Sequence, residues 1–183
     1  MDEKVKIVAI AGSLRRKSVT RTLLEAARDV APENMQIELF PLNEIPLYNN
    51  DIEVEEGFPE PVKQLRQAIQ QADGIILGTP EYNGSVTGVL KNAIDWASRQ
   101  GLMAKKPVAT MGGSPGALGA TKAQEHLRQI CLHLGMYVLS RPTIAVPKLP
   151  EKIVDGQLTD EMTLKFIGQQ MEQFYDWVVR LKD

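Results

Sequence analysis

Cysteine and histidine are nearly missing from this 183-residue chain, which has one of the first and two of the second. A single thiol excludes a disulfide framework, and so few thiol and imidazole groups argue against a zinc site. An excess of one charge is missing as well. The 21 Lys plus Arg stand against 23 Asp plus Glu, for a net charge of −2. With no basic run there is no electrostatic case for nucleic acid or an anionic membrane surface. No apolar run approaches a bilayer span. The stretch behind the acidic start Met1-Asp2-Glu3-Lys4 is too short for a signal-peptide core. What is present, 43% hydrophobic and 24% charged residues, is ordinary globular composition. The expectation is one soluble, cytoplasmic domain over residues 1–183 that binds neither nucleic acid nor membrane.

Apolar patterning alternates between two kinds of segment. Val5-Lys6-Ile7-Val8-Ala9-Ile10-Ala11 is β-branched and almost wholly apolar, as a strand buried on both faces should be. A helical stripe of Leu23, Leu24, Ala27 and Val30 follows and stops at Pro32. Strands are expected at 35–40, 74–78, 107–111 and 136–139. Helices are expected around 62–72, over 88–99, over 120–134 and over 160–181. Residues 41–59, with Pro41, Pro46 and Pro59, read as one long loop. Apolar strands alternating with helices point to a five-stranded, doubly wound parallel α/β sheet. Rossmann and flavodoxin-like (order 2-1-3-4-5) arrangements both satisfy the pattern. In either, ligands gather at the carboxyl ends of the strands.

Three loops at those ends carry the signals. The first, Gly12-Ser13-Leu14-Arg15-Arg16-Lys17-Ser18-Val19-Thr20, joins a buried strand to a helix start, where free amides and the helix dipole favour an anion. Its hydroxyls and cations suit a phosphate. The plainer alternative is that Ser18 or Thr20 caps the helix and the cations are solvated. No Gly-Lys-Ser/Thr ends the loop, and no acid ends strand 2, where Phe40-Pro41-Leu42 stands. A Walker loop and a dinucleotide fingerprint are therefore both absent. A monophosphate site is the reading that remains. The second loop, Thr79-Pro80-Glu81-Tyr82-Asn83-Gly84-Ser85-Val86-Thr87-Gly88, offers an aromatic face and an amide to a planar heteroaromatic ring, or is an ordinary Asn-Gly turn. The third, Gly112-Gly113-Ser114-Pro115-Gly116-Ala117-Leu118-Gly119, has glycines that let backbone approach a ligand, or that merely make a flexible crossover. It reads as a second wall of one pocket.

Gly12-Ser13-Leu14-Arg15 with Ser18, then Pro80-Glu81-Tyr82-Asn83-Gly84-Ser85 and Gly88-Val89-Leu90-Lys91-Asn92-Ala93-Ile94-Asp95-Trp96, resemble the NADPH-dependent FMN reductase family of the flavodoxin-like superfamily. That group includes chromate, quinone and azo-dye reductases. The resemblance implies a flavodoxin-like sheet and bound FMN, with NADPH or NADH as electron donor. It implies that Ser13, Arg15, Ser18, Val19 and Thr20 hold the FMN phosphate. Pro80, Glu81, Tyr82 and Asn83 would line the isoalloxazine, and Ser114 and Gly116 would close its other side. Three positions depart from the family pattern: Thr20 where Asn is usual, Thr87 where Pro is usual, and Ala120 where a second Gly is common. Thr20 still donates a hydrogen bond, whereas Thr87 is expected to loosen the flavin loop.

Other residues are read structurally. His126 and His133 are flank or interface positions, Cys131 is a buried small hydrophobe, and Lys91 with Asp95 forms a local ion pair. Met103, Met111 and Met136 fill the core. The resemblance implies an oxidoreductase that passes electrons through FMN to quinones or other small acceptors such as flavin, chromate or azo dyes. No catalytic side chain and no metal are assigned. The alternatives are a flavodoxin-like electron carrier, which a near-neutral chain disfavours, and a flavin-free phosphate-binding regulator. Wide apolar faces on the helices over 88–99 and 120–134, including Trp96 and Leu132, point to subunit packing, and the resemblance implies a homodimer or homotetramer.

Overall fold

β1 (Val5–Ala11) is the spine of the sheet. Val5, Ile7 and Ala9 face one helical layer, and Val8 and Ile10 face the other. β-branched residues suit a pleated surface covered on both sides. The structure, a computed structural model describing residues 3–182, places β2 (Met35–Phe40) on one side of β1 and β3 (Gly74–Thr79) on the other. β4 (Pro107–Gly113) lies beyond β3, and all pairings are parallel. The order β2-β1-β3-β4-β5 is the flavodoxin-like one.

Each face is covered by helices whose apolar stripes meet it. α1 (Val19–Asp29) and α6 (Glu161–Lys182) cover one face through Leu23, Leu24, Ile167, Met171 and Phe174. α3 (Glu60–Gln71), α4 (Gly88–Ala97) and α5 (Thr121–His133) cover the other through Leu65, Ile69, Leu90, Leu127 and Cys131. Side chains so buried contribute about 1.5–3 kcal/mol each. Met103, Met111 and Met136 lie in this core, as expected. Among the described residues no helix is long and apolar enough to cross a membrane.

Four details differ from the sequence reading. The Pro-rich loop contains a short helix, α2 (Asn50–Glu55), capped by Asn49 and burying nothing. The helix expected over 88–99 ends at Ala97 and passes into a tight 3-10 turn. The fifth lane of the sheet is broken into two pieces, β5 (Tyr137–Val138) beside the start of β4 and β6 (Ile144–Val146) beside its end. Between them, and at the first residue of β6, backbone carbonyls are met by side chains. Arg128 donates to Leu139 O at 3.0 Å, Gln170 to Pro142 O at 2.7 Å and Gln124 to Ile144 O at 3.0 Å. Buried carbonyls need partners, so these three residues let the lane break without loss. A small hairpin, β7 (Ile153–Val154) with β8 (Gln157–Leu158), precedes α6.

Candidate active site

Register fixes where the loops meet. Ala11 pairs with Gly78, Thr79 with Gly112, and Gly113 with Val146. The loops after β1, β3 and β4 therefore leave one end of the sheet from adjacent lanes, beside the point where strand order reverses.

The first loop is rich in unused donors. Ser18 is buried and caps α1, its hydroxyl accepting the Arg21 amide at 3.2 Å. That bears out the capping alternative, but it serves only one amide of the first turn. Those of Val19 and Thr20 have no intrahelical acceptor and point out of the helix start. The Thr20 hydroxyl is fully buried with no hydrogen-bond partner among the described residues. A buried unsatisfied hydroxyl costs about 1–3 kcal/mol, which an acceptor oxygen arriving there would remove. Ser13 is half-buried and its hydroxyl reaches the Arg15 amide only at 3.5 Å. The Arg15 side chain is exposed.

The second loop is stitched down. Asn83 and Gly84 take positive φ (53° and 70°), and Tyr82 and Ser85 exchange backbone hydrogen bonds across them at 3.1 and 3.2 Å. This is the mirror-type hairpin turn that Asn-Gly favours, so the turn reading of that pair holds. The turn presents Asn83 at its tip and leaves Tyr82 49% exposed. Pro80 is buried beneath. The Glu81 carboxylate turns away from the rim and accepts the Ala123 amide at 3.2 Å. α5 has no side-chain cap of its own, because Ala120 sits there at φ 66°, and Glu81 supplies one from the neighbouring loop. Ser85 bonds His126 Nδ1 at 2.9 Å, which accounts for that histidine.

Thr87 corrects the expectation of a loosened loop. It is buried, its hydroxyl donates to Gly12 O at 2.8 Å, and its oxygen accepts the Leu90 amide at 3.3 Å. One side chain thus caps α4 and ties the second loop to the first. Gly12 is glycine because of this contact: a Cβ there would lie 2.9 Å from Thr87 Oγ1 and 3.0 Å from Leu90 Cβ. Sequence reasoning missed the role, although Thr one residue ahead of a helix is a capping signal.

The third loop also departs from its reading. Gly112 and Gly113 belong to β4. Their missing side chains make room for the chain itself, since a Cβ on Gly113 would sit 2.3 Å from Leu149 and one on Gly119 2.6 Å from the Ala145 backbone. Of this loop's glycines only Gly116 faces open space, where a Cβ would meet nothing nearer than Ser114 Oγ at 3.7 Å. Ser114 is half-buried, and both residues are anchored to the segment after β6 by Leu149 N to Ser114 O (3.0 Å) and Lys148 N to Gly116 O (3.1 Å). Leu14, Tyr82 and Leu118 each expose a large apolar side chain, one from each loop. Leu14 and Leu118 were not singled out in the sequence, though a lone leucine among glycine and serine is a visible signal.

The remaining motif residues hold the scaffold. Asn92 and Trp96 both donate to Pro46 O, at 2.8 and 2.9 Å. Trp96 is 0% exposed, with Tyr48 edge-on at 4.8 Å, so it is not available to a second subunit as the sequence suggested. Lys91 and Asp95 form the expected ion pair at 2.7 Å. Burial pushes the Cys131 thiol up to about 12, an inert small hydrophobe. Among the described residues no cluster of His, Cys, Asp or Glu could hold a metal.

The donor set fits a phosphate monoester carrying a planar ring: amides at a helix start, an unpartnered buried hydroxyl and a free guanidinium, then an open rim at Tyr82, Asn83 and Gly116. Comparison with known proteins places the chain in a family. Residues 5–151 match the model of the NADPH-dependent FMN reductase family. The chain is 40% identical over 185 aligned positions to an NAD(P)H-dependent FMN reductase of Pseudomonas aeruginosa, covering all of both. It is 38% identical over 187 to a quinone reductase of Escherichia coli, again over both whole chains. Among solved structures, a flavoenzyme NAD(P)H:(acceptor) oxidoreductase of Paracoccus denitrificans superposes with a TM-score of 0.88 at 34% identity, covering 96% of this chain and 98% of that one. The chain belongs to the NADPH-dependent FMN reductase family.

Proposed function

We propose, with that membership as the premise, that the protein is an FMN-dependent NAD(P)H oxidoreductase delivering electrons to quinones or other small acceptors. The observation that carries the assignment of residues is the buried, partnerless Thr20 hydroxyl at the start of α1. Together with the Val19 and Thr20 amides, Ser13, Ser18 and Arg15, it would hold the FMN phosphate. Pro80, Tyr82, Asn83, Ser114 and Gly116 would border the ring, with Glu81 contributing through its backbone while its carboxylate caps α5. Bound FMN supplies hydride acceptance and electron transfer, so the protein needs no acid–base pair of its own. What the side chains supply is position: Thr87 fixes the spacing of the first two loops, and the exposed Tyr82 and Leu118 offer apolar surface to planar acceptors.

A single shared face implies alternating substrates, hence parallel initial-rate lines at several fixed quinone concentrations. Intersecting lines would contradict it. Sustained NAD(P)H oxidation with a small quinone and no partner reductase separates this reading from that of an electron carrier. A colourless protein that takes up no flavin would overturn both.

We further infer a homodimer or homotetramer in the cytoplasm, where a lone unpaired thiol is at home. A groove of about 700 Å³ between α4 and α5 has Val86, Ile94, Ile130 and Leu134 in its lining, and Leu132 nearby is 64% exposed. A second copy covering this groove would double the 20.3 kDa of the chain in solution, and two such pairs would give four times that mass. A monomeric mass by light scattering at micromolar concentration would refute it.

A further inference from the structure

The first loop has a second face. Between it and the segment leaving β2 lies a cleft of about 480 Å³. Ser13 and Arg15 line it, but Ser18, Val19 and Thr20 do not, so it opens away from the amides and buried hydroxyl at the start of α1. Arg15, Arg16 and Arg21 do line it, and its lining contains no acidic residue. On a chain of net charge −2, that concentration of cations is local. Arg15 and Arg16 form no side-chain hydrogen bond or ion pair with the described residues. Arg21 is held through Nε by Glu25 at 3.0 Å, which leaves its outer fork free. The opposite wall is of another character: Phe40, Pro41 and Leu42 are apolar, and Asn43 ends it with an amide.

Guanidinium forks recognise phosphate in a bidentate way, as carboxylates and amides do not. An apolar wall with an amide at its end suits a purine base. The two chemistries side by side describe a base with a phosphate close to it, rather than a free anion. NADH and NADPH both place a 5′-pyrophosphate near adenine, but only NADPH adds a terminal 2′-phosphate to the adenosine, the dianion that several guanidinium forks hold best. No carboxylate lines the cleft to repel that phosphate, since the second strand runs out into Phe40-Pro41-Leu42.

We propose that this arginine cleft binds the adenosine 2′-phosphate end of NADPH, with Arg16 as its principal specificity residue, and so biases the enzyme toward NADPH over NADH. The proposal rests on the reductase reading above. It adds a site to that reading on the other face of the same loop, with Ser13 and Arg15 common to both and Arg16 and Arg21 belonging to the cleft alone.

The test uses the FMN-loaded protein, so that the cup is filled. Titration with 2′,5′-ADP and with 5′-AMP should show the first binding at least about tenfold more tightly. Arg16→Ala should remove that preference, and Arg16→Lys should keep part of it. In turnover, Arg16→Ala should raise the ratio of KM for NADPH to KM for NADH about tenfold. Equal binding of the two nucleotides by wild type, or a ratio unmoved in Arg16→Ala, would overturn the cleft assignment while leaving the reductase reading intact. Failure to oxidise either nucleotide would overturn the reductase reading. The 2′,5′-ADP titration would still decide the cleft, because it needs no turnover.

Discussion

The loops after β1 and β4 leave the same end of one sheet, and both read in sequence as places where backbone meets a ligand. The structure divides them. The β4 loop has the glycines, but Gly112, Gly113 and Gly119 are glycine because Thr79, Leu149 and the Ala145–Val146 backbone occupy the space a Cβ would need. The β1 loop has one glycine, and that one makes room for Thr87 and Leu90. It also has what the other lacks: amides at a helix start and, among the described residues, a buried hydroxyl without a partner and arginines without counter-ions. Glycine density here marks the chain packing against itself, whereas unmet donors mark the place for an anion.

The contrast is broken or sharpened by substitutions of decreasing effect. Gly119→Ala, at φ 59° and facing backbone at 2.6 Å, should destabilise the fold by about 3 kcal/mol. Gly116→Ala should leave the denaturation midpoint almost unchanged. If both were equally tolerated, the packing account of the third loop would be wrong. Thr87→Val removes a donor from a buried carbonyl and a cap from α4, for about 2 kcal/mol. Thr87→Ser should restore most of it, and a neutral Thr87→Val would mean that the two loops are not coupled through this side chain. Glu81→Ala takes the borrowed cap from α5, for about 1 kcal/mol in chemical denaturation. FMN and riboflavin affinities should then fall together or not at all.

The smallest effect lies at the start of α6, where Asp160 accepts the Thr163 amide at 3.0 Å. Hydrogen bonds from Lys152 and then Thr163 hold the Asp160 carboxyl down at about 2. A depressed carboxyl stabilises the fold above its ordinary pKa, near 3.9, and loses that contribution as pH falls through the lowered value. Asp160→Asn should therefore be slightly less stable than wild type at neutral pH. The two should converge toward pH 2, with no change in the preference for FMN over riboflavin. A gap that widened in acid would contradict the assignment.

Much of the fold was legible because apolar burial writes itself locally. β1 and the stripes of α1 and α5 follow from spacing alone. The broken fifth lane was not legible, since Gln124, Arg128 and Gln170 satisfy its carbonyls from helices that are neighbours only in space. The same limit governs the site. The three loops and their hydroxyls could be named from sequence. That Glu81 caps α5, that Trp96 lies under Tyr48, and that Thr87 tightens rather than loosens the rim all depend on which elements touch.

Flavin affinity with and without the phosphate tests the central claim most directly. Arg15→Ala removes one charge-assisted hydrogen bond, which contributes about 1.5–3 kcal/mol. Measured by fluorescence titration of the flavin-free protein, FMN should bind the variant about ten- to a hundredfold more weakly than wild type. Riboflavin, with the same ring and no phosphate, should bind both alike. Equal losses for the two flavins would show that Arg15 supports structure only, and the assignment of the first loop as a phosphate cup would fall.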